Sequence, residues 1–152
     1  MKAIDFELPD EIGIVHRLSD YLGQWVVVYF YPKDDTPGCT KEACNFRDGL
    51  DEFRKNKVVV LGISKDTVKS HGKFSQKFGL NFPLLSDEKK EVIRAYGALE
   101  MKKFMGREYE GVLRKTFLIN PKGEVAKVFD EVDVNKHAKE ILDEVKLQDG
   151  TK

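Results

Sequence analysis

Two cysteines lie close together in the sequence, and the first follows residues that typically begin a helix. Cys39 comes after Thr36, Pro37 and Gly38, and Cys44 follows five residues later. Pro is favoured at the first helical position because its missing N–H would have no helical acceptor there. Thr36 then falls at the N-cap and Cys39 in the first turn, where free backbone N–H groups and the helix dipole stabilise an anion. Because the thiolate is the nucleophilic form of cysteine, this position predicts a reactive thiol. The alternative is that Cys39 is a small core residue on the apolar stripe of the helix.

The spacing of the two cysteines bears on how they could react with each other. Five helical residues place the thiols about 140° apart around the axis and roughly 7.5 Å apart along it. The Cα atoms would be about 8 to 9 Å apart, beyond the roughly 7 Å that a disulfide spans, so joining them requires local unwinding of the helix. The alternative is that Cys44 is an inert second thiol. Zinc binding is not expected, since no pair of histidines lies near these cysteines; His16, His71 and His137 are scattered and expected to face solvent.

Length and composition exclude several classes of protein. The 152 residues are enough for one domain, 1–152, with a core of its own. The 26 basic and 26 acidic residues give no net positive field, so neither nucleic acid nor an anionic membrane is an expected partner. No apolar run has the length of a signal peptide or a membrane span, which predicts a cytoplasmic protein. In that reducing compartment, two cysteines are more often catalytic or redox-active than structural.

The elements that must position these residues alternate between strands and helices. Continuous apolar runs predict buried strands at Trp25–Tyr31, Val58–Ile63 and Thr116–Ile119. Apolar residues at steps of three and four predict helices over 37–55, Val68–Phe78, Lys89–Tyr96 and Asn135–Leu147. The turn Asn120–Gly123 predicts a hairpin joining 113–119 to 124–129, and the polar stretch 99–111 predicts a long functional loop. The pattern indicates an α/β protein, a three-layer sandwich with a central mixed β-sheet.

A specific motif surrounds the first cysteine. Pro32, Thr36 and Cys39 form the pattern P-x-x-x-T-x-x-C within the stretch P-K-D-D-T-P-G-C-T-K-E-A-C. This stretch resembles the peroxiredoxins, specifically the bacterioferritin comigratory or Q-type branch. The resemblance covers nearly the whole chain, including R-K-T-F-L-I-N-P-K-G-E from Arg114 to Glu124. One departure is Leu99, where relatives often carry Trp, and this concerns only the shape of the apolar wall.

The resemblance implies a thioredoxin-like fold and a role for each motif residue. Cys39 would be the peroxidatic thiol and Cys44 the resolving thiol. Thr36 and Arg114 would form a collar around Cys39, and the Thr36 hydroxyl, like Arg114, would donate to the charge that develops on the peroxide. The family relation also implies that Arg114 reaches Cys39 from another strand. A guanidinium remains charged at neutral pH and can donate to both peroxide oxygens. Without the family pattern, Thr36 could be a plain N-cap and Arg114 a surface residue of a strand.

Three further residues are candidates for substrate binding or for support of the site. Pro32 would shield the thiol from water, and the N–H of Gly38 would meet the charge that develops on the peroxide. Glu42, one turn after Cys39, would orient Arg114 through a charge-assisted hydrogen bond. For Glu42 the alternative is an exposed carboxylate on the helix surface.

These observations predict a thiol-dependent peroxidase that reduces hydrogen peroxide and alkyl hydroperoxides. A Cys39 sulfenic acid would condense with Cys44, and thioredoxin or a similar dithiol would reduce the disulfide. No metal or organic cofactor is required, and family analogy favours a monomer. One alternative is a thioredoxin-like disulfide exchanger, although the chain lacks a C-x-x-C motif. The other is a redox-regulated holdase or binding module whose unwound helix exposes apolar surface.

Overall fold

The structure, a computed structural model, describes residues 1–149 and contains nine strands and four α-helices in that range. The strands are β1 Glu7–Pro9, β2 Val15–Arg17, β3 Trp25–Phe30, β4 Val58–Ser64, β5 Leu84–Ser86, β6 Leu99–Phe104, β7 Arg107–Val112, β8 Lys115–Ile119 and β9 Val125–Phe129. The helices are α1 Pro37–Lys55, α2 Val68–Phe78, α3 Glu91–Ala95 and α4 His137–Gln148, with a short 3₁₀ helix at Leu18–Tyr21. Within 1–149 no helix combines the length and the apolar character needed to cross a bilayer.

The main sheet has five strands in the order β5-β4-β3-β8-β9. Strand β3 pairs in parallel with β4 and antiparallel with β8, and β8 pairs antiparallel with β9. The predicted mixed sheet and late hairpin are therefore confirmed. All six residues of β3 are buried because both faces of the sheet are covered, which explains its unbroken apolar sequence.

The two faces of the sheet carry separate hydrophobic clusters. Val27 and Tyr29 of β3 belong to a cluster with residues of α1, α2 and α4. Val28 and Phe30, which alternate with them, belong to a second cluster with α3 and the N-terminal segment. Successive strand residues point to opposite faces, so one apolar strand supplies both clusters. The predicted three-layer α/β sandwich is confirmed.

The apolar elements lie where the sequence predicted them, and the main difference is a polar segment. The bounds predicted for α2 are confirmed, as is the span of α1 to Lys55. The prediction of a loop at 99–111 is wrong, because β6 and β7 form a hairpin there. Its turn is made by Met105 and Gly106, which have φ of 54° and 80°. Most side chains of this hairpin are exposed, so its strands lack the apolar alternation that marks a half-buried sheet.

Candidate active site

Cys39 lies in the first turn of the helix that follows the central strand. Thr36 is the N-cap of α1 and Pro37 its first residue, as the sequence predicted. The side chain of Cys39 is almost fully buried and packs in the same cluster as Ala43 and Phe46. Cys39 and Cys44 are both free thiols. The helix therefore carries a reduced sulfur at its N-terminal end, where backbone N–H groups lack helical acceptors.

Arg114 reaches this thiol from the connection between β7 and β8. Because β8 runs antiparallel to β3, with Lys115 opposite Phe30, the residue before β8 lies beside the end of β3. The Nη2 of Arg114 donates to the Sγ of Cys39 at 3.4 Å. A Cβ placed on Gly38 would lie 3.1 Å from the same Nη2 atom. The absence of a side chain at Gly38 thus leaves room for the guanidinium beside the sulfur.

Glu42 anchors the other side of the guanidinium. The Nη1 of Arg114 donates to Oε1 of Glu42 at 2.7 Å, and the Glu42 side chain is fully buried. The alternative of an exposed carboxylate is therefore wrong. Burial raises the pKa of Glu42 from 4.5 to about 7, although Arg114 pulls it down. Burial alone would lower the pKa of Arg114, but the charges of Glu42 and Cys39 outweigh it and leave that pKa above its ordinary value.

The loop between β3 and α1 supplies Pro32 and Thr36. Pro32 is half-buried, and Thr36 makes no side-chain bond to the helix that it caps. Instead, the Thr36 hydroxyl donates to the carbonyl of Lys33 at 2.9 Å. Since that hydroxyl has one proton, it is not free in this structure to donate to a peroxide, contrary to the expectation from the sequence, and its remaining capacity is to accept a hydrogen bond.

Cys44 is half-buried, and the helix is anchored immediately after it. The Oδ1 of Asn45 accepts a hydrogen bond from the backbone N–H of Ala138 at 2.8 Å, and its Nδ2 donates to the carbonyl of Asn135 at 3.2 Å. Asn45 therefore caps the start of α4 from another helix. Arg47 adds a bond of 2.6 Å to the carbonyl of Phe78. These bonds tie the part of α1 that follows Cys44 to the start of α4 and to the end of α2.

The expectation that the three histidines face solvent is wrong. His71 and His137 are fully buried, and His16 is held by Asp10 at 2.7 Å and Tyr21 at 2.6 Å. His71 shares the inward stripe of α2 with Phe74, three residues on, so helical periodicity could have placed it in the core. Apart from this periodicity, nothing in the sequence around His71 indicates that it is buried.

Tyr29 and His137 lie near the charged groups of the site without being part of its motif. His137 pairs through Nε2 with the Thr116 hydroxyl at 2.7 Å. Burial, assisted by the charge of Arg114, lowers its pKa from 6.5 to about 4. In the described part of the chain, the Tyr29 hydroxyl, Oε2 of Glu42 and Nδ1 of His137 are buried without a hydrogen-bond partner. Near the guanidinium, these three polar atoms thus lack the hydrogen bonds that would offset the cost of their burial.

Comparison with known proteins identifies a fold and site of this kind. The model of the AhpC/TSA family matches residues 1–128. Peroxiredoxin Bcp of Bacillus subtilis is 44% identical over 145 residues, covering 95% of this chain and 92% of the relative. Peroxiredoxin Bcp of Escherichia coli K12 is 45% identical over 144 residues with the same two coverages, 95% and 92%. These matches extend through nearly the whole chain.

Solved structures agree with the sequence matches. The bacterioferritin comigratory protein of Xanthomonas campestris, studied for its alkyl peroxide reduction activity, has a TM-score of 0.90 and 40% identity, covering 94% of this chain and 91% of its own. Peroxidoxin BcpB of Mycobacterium tuberculosis has a TM-score of 0.86 and 38% identity, covering 97% and 95%.

The fold and the cysteine–arginine site define a thiol-dependent peroxidase with a thioredoxin-like architecture. The chain belongs to the AhpC/TSA family, in its bacterioferritin comigratory branch of peroxiredoxins. Family membership decides against the disulfide exchanger and the holdase as the main activity.

Proposed function

We propose that this protein reduces hydrogen peroxide and alkyl hydroperoxides with Cys39 as the peroxidatic thiol. The observation that carries the proposal is the contact of 3.4 Å between Sγ of Cys39 and Nη2 of Arg114, at the N-terminal end of α1. A guanidinium and free helix N–H groups both favour a negative sulfur. The same donors are placed to stabilise the negative charge that leaves the sulfur during the reaction.

The first chemical step is a nucleophilic displacement on oxygen. The Cys39 thiolate attacks one peroxide oxygen, so that an S–O bond forms while the O–O bond breaks. Sulfur loses two electrons and becomes a sulfenic acid, and the peroxide leaves as an alkoxide or hydroxide that takes a proton to give an alcohol or water. Arg114 and the N–H groups of Gly38 and Cys39 would donate to the leaving oxygen. The Thr36 hydroxyl, which donates to Lys33, would accept the O–H of the peroxide.

The second step joins the two cysteines. The Cys44 thiolate attacks the sulfenic sulfur, so that an S–S bond forms and hydroxide leaves to become water. A dithiol reductant, which we propose to be thioredoxin, then reduces the disulfide by exchange. The anchors of Asn45 and Arg47 support a division of α1 into a first part that unwinds and a second part that stays helical.

Pro32 and Glu42 support the site without taking part in bond exchange. Pro32 lies between the sheet and the helix and would limit the access of water to the thiol. Glu42 would hold the guanidinium in the orientation that leaves Nη2 free for sulfur and substrate. We further propose that residues 1–152 act as one domain, that the enzyme is a cytoplasmic monomer, and that it needs no metal or organic cofactor. Sedimentation of the reduced protein tests the monomer, and a stable dimer would contradict it.

The test of the reaction compares wild type with Cys39→Ser and Cys44→Ser. We expect Cys39→Ser to consume no peroxide in stopped-flow measurements. Cys44→Ser should oxidise Cys39 once at a rate close to wild type and then fail to turn over with thioredoxin. Mass spectrometry of the products should show a sulfenic acid in Cys44→Ser and an internal disulfide in wild type. Peroxide consumption by Cys39→Ser at the wild-type rate would refute the proposal.

The identity of the reductant needs a separate measurement. Thioredoxin with its reductase and NADPH should sustain turnover, whereas glutathione with glutaredoxin should sustain little. Oxidised wild type, incubated with each system in the absence of peroxide, reports reduction of the disulfide alone. Faster reduction by glutaredoxin than by thioredoxin would contradict the assignment of thioredoxin.

A further inference from the structure

A buried polar cluster holds the loop that leads from the central strand to the catalytic helix. Its centre is Asp34, two residues before the N-cap, with a side chain almost fully buried. Oδ1 of Asp34 accepts from the hydroxyl of Tyr31 at 2.6 Å. Oδ2 lies 2.8 Å from the hydroxyl of Ser70 and 2.7 Å from Nδ1 of His71. Both of these partners belong to α2, so Asp34 ties the loop to a second helix.

The histidine of this cluster is bonded at both ring nitrogens. Nε2 of His71 lies 3.0 Å from the carbonyl of Leu85, which can only accept a hydrogen bond, so Nε2 carries a proton. Nδ1 faces Oδ2 of Asp34 at 2.7 Å, so the ring is held at both nitrogens. His71 is fully buried. Removing the Asp34 carboxylate would leave the buried His71 ring without its partner at Nδ1, which destabilises the folded protein. The pair is therefore a strong constraint on the loop.

The backbone of the loop is fixed as firmly as the Asp34 side chain. The N–H of Asp34 donates to Oδ2 of Asp66 at 2.9 Å, and the Ser64 hydroxyl donates to the same oxygen at 2.7 Å. The Thr36 hydroxyl closes the loop on Lys33. Asp34 is therefore held through both its main chain and its side chain, by contacts to Asp66 in the segment after β4 and to α2.

These contacts also explain why three potential metal ligands lie together. One ligand atom from each of Asp34, Asp66 and His71 falls within 4.8 Å of the others. Each of these atoms already faces a hydrogen-bond partner inside the protein. Lys69 and Lys73 line the opening above the cluster, where their charges would oppose a cation. The three side chains therefore form a polar network whose hydrogen bonds are made within the protein.

We propose that Asp34 is a positioning residue for Cys39, acting through the loop 32–36 that fixes the start of α1. This inference rests on the proposed role of Cys39. The network holds the N-terminal end of the helix against the guanidinium of Arg114, and the same hold resists the unwinding that brings Cys39 to Cys44. Loosening it slows the oxidation of Cys39 and accelerates the formation of the disulfide. A residue that only supported global stability would not change the two steps in opposite directions.

The test uses Asp34→Asn, which keeps the shape of the side chain and removes its charge. The matched control is Asp10→Asn, since Asp10 is also buried and also pairs with a histidine at 2.7 Å, namely His16, outside the catalytic loop. Rapid mixing with hydrogen peroxide followed by quenching and mass spectrometry gives the rate of sulfenic acid formation and the rate of disulfide formation. We expect oxidation of Cys39 to slow about tenfold or more in Asp34→Asn, as small displacements of reacting groups do. Disulfide formation should become several-fold faster, and the fraction over-oxidised to sulfinic acid should fall.

Several outcomes decide between this inference and its failure. Asp10→Asn should leave both rates within about twofold of wild type, because Asp10 lies outside the catalytic loop. A twofold change corresponds to well under 1 kcal/mol. Equal rates in the two variants, or a parallel fall of both rates in Asp34→Asn, would overturn the inference. If Asp34→Asn does not fold, Ser70→Ala removes one hydrogen bond to Asp34 and should shift the two rates in the same opposite directions to a smaller extent. Activity in Cys39→Ser would instead refute the proposed function, so the two failures are distinguishable.

Discussion

The buried carboxyl of Glu42 makes a pH-dependent contribution to stability that can be measured by itself. The pKa of Glu42 is about 7 in the folded protein, against 4.5 in the ordinary state. Each pKa unit corresponds to about 1.4 kcal/mol, so the ionised carboxylate costs about 3 kcal/mol of folding free energy relative to its neutral form. Between pH 4.5 and about 7 the native state retains a proton that the unfolded chain has released. Stability from this group therefore falls as the pH rises through that window.

Glu42→Gln removes this titration while keeping a side chain of similar shape. As the pH rises from 4.5 to 8, we expect the free energy of unfolding of the variant to increase by about 3 kcal/mol relative to that of wild type, because glutamine never ionises. The assay is urea unfolding of both proteins at four pH values, each in a Cys39→Ser background so that no thiol lies beside the guanidinium. Glu52→Gln is the control, since Glu52 lies on the same helix and is exposed. Its stability difference from wild type should stay nearly constant across the range.

Parallel plots of unfolding free energy against pH for wild type and Glu42→Gln between pH 4.5 and 8 would refute this expectation. That result would mean that the carboxyl ionises normally and that Arg114 fully compensates its burial. A difference in unfolding free energy that is the same at every pH does not bear on this prediction, because the variant also loses the charged partner of Arg114. With Cys39 present, the same variant should react more slowly with peroxide, since Nη1 of the guanidinium would then be held by a neutral amide oxygen, a weaker hydrogen bond than the one to the carboxylate.

Three other changes have expected results that the structure fixes. Arg114→Lys should slow peroxide reduction at least about tenfold, because an ammonium cannot bridge Glu42 and Cys39 as the two guanidinium nitrogens do; stopped-flow rates test this, with Lys127→Arg as control, and an unchanged rate would contradict it. Gly62→Ala should destabilise the protein by about 1–3 kcal/mol in urea unfolding, since the new Cβ would lie 2.9 Å from the Tyr29 ring, whereas Gly49→Ala, with its nearest contact at 3.4 Å, should cost little; equal losses would refute the packing argument. His137→Gln should remove a loss of stability that wild type suffers as the pH falls from 6.5 towards 4, because protonation of His137 is resisted in the folded state; the expected difference is about 3 kcal/mol, and parallel acid unfolding curves would count against it.

The elements that surround the site could be predicted because their apolar residues repeat at helical or strand spacing. The stripe from Cys39 to Phe53 fixes α1, and the unbroken run at β3 requires a strand covered on both faces. The short strands β1, β2 and β5 have three residues each, too few for a period to be recognised. The hairpin of β6 and β7 is mostly exposed, so its pairing is set by backbone hydrogen bonds and a left-handed turn that composition does not reveal.

The candidate site was accessible to sequence reasoning only where local chemistry was sufficient. Pro37 and the N-cap at Thr36 follow from rules of helix initiation, and they place Cys39 in the first turn. Arg114 and Cys39 are 75 positions apart in the sequence. Their approach depends on the antiparallel pairing of β3 with β8, which is not visible in either segment. Only the family resemblance brought Arg114 into the prediction. Asp34 lies within the motif stretch, but nothing in the sequence indicates its partners, which come from α2 and from the segment after β4.

The groups around Cys39 balance reactivity against stability. A fully buried Glu42 with a raised pKa, and a Tyr29 hydroxyl without a partner in the described part of the chain, both leave the interior beside the thiol less stable than apolar packing would. That interior nevertheless fixes the guanidinium at 3.4 Å from the sulfur without a bound substrate. In the proposed cycle the helix releases Cys39 towards Cys44 once oxidation has occurred, and both the polar contacts at Asp34 and the packing of Cys39 and Ala43 in the apolar cluster resist that release. The anchors of Asn45 and Arg47 lie just beyond Cys44, so the proposed unwinding would stop before it exposed Phe46, Leu50 and Phe53 of the core.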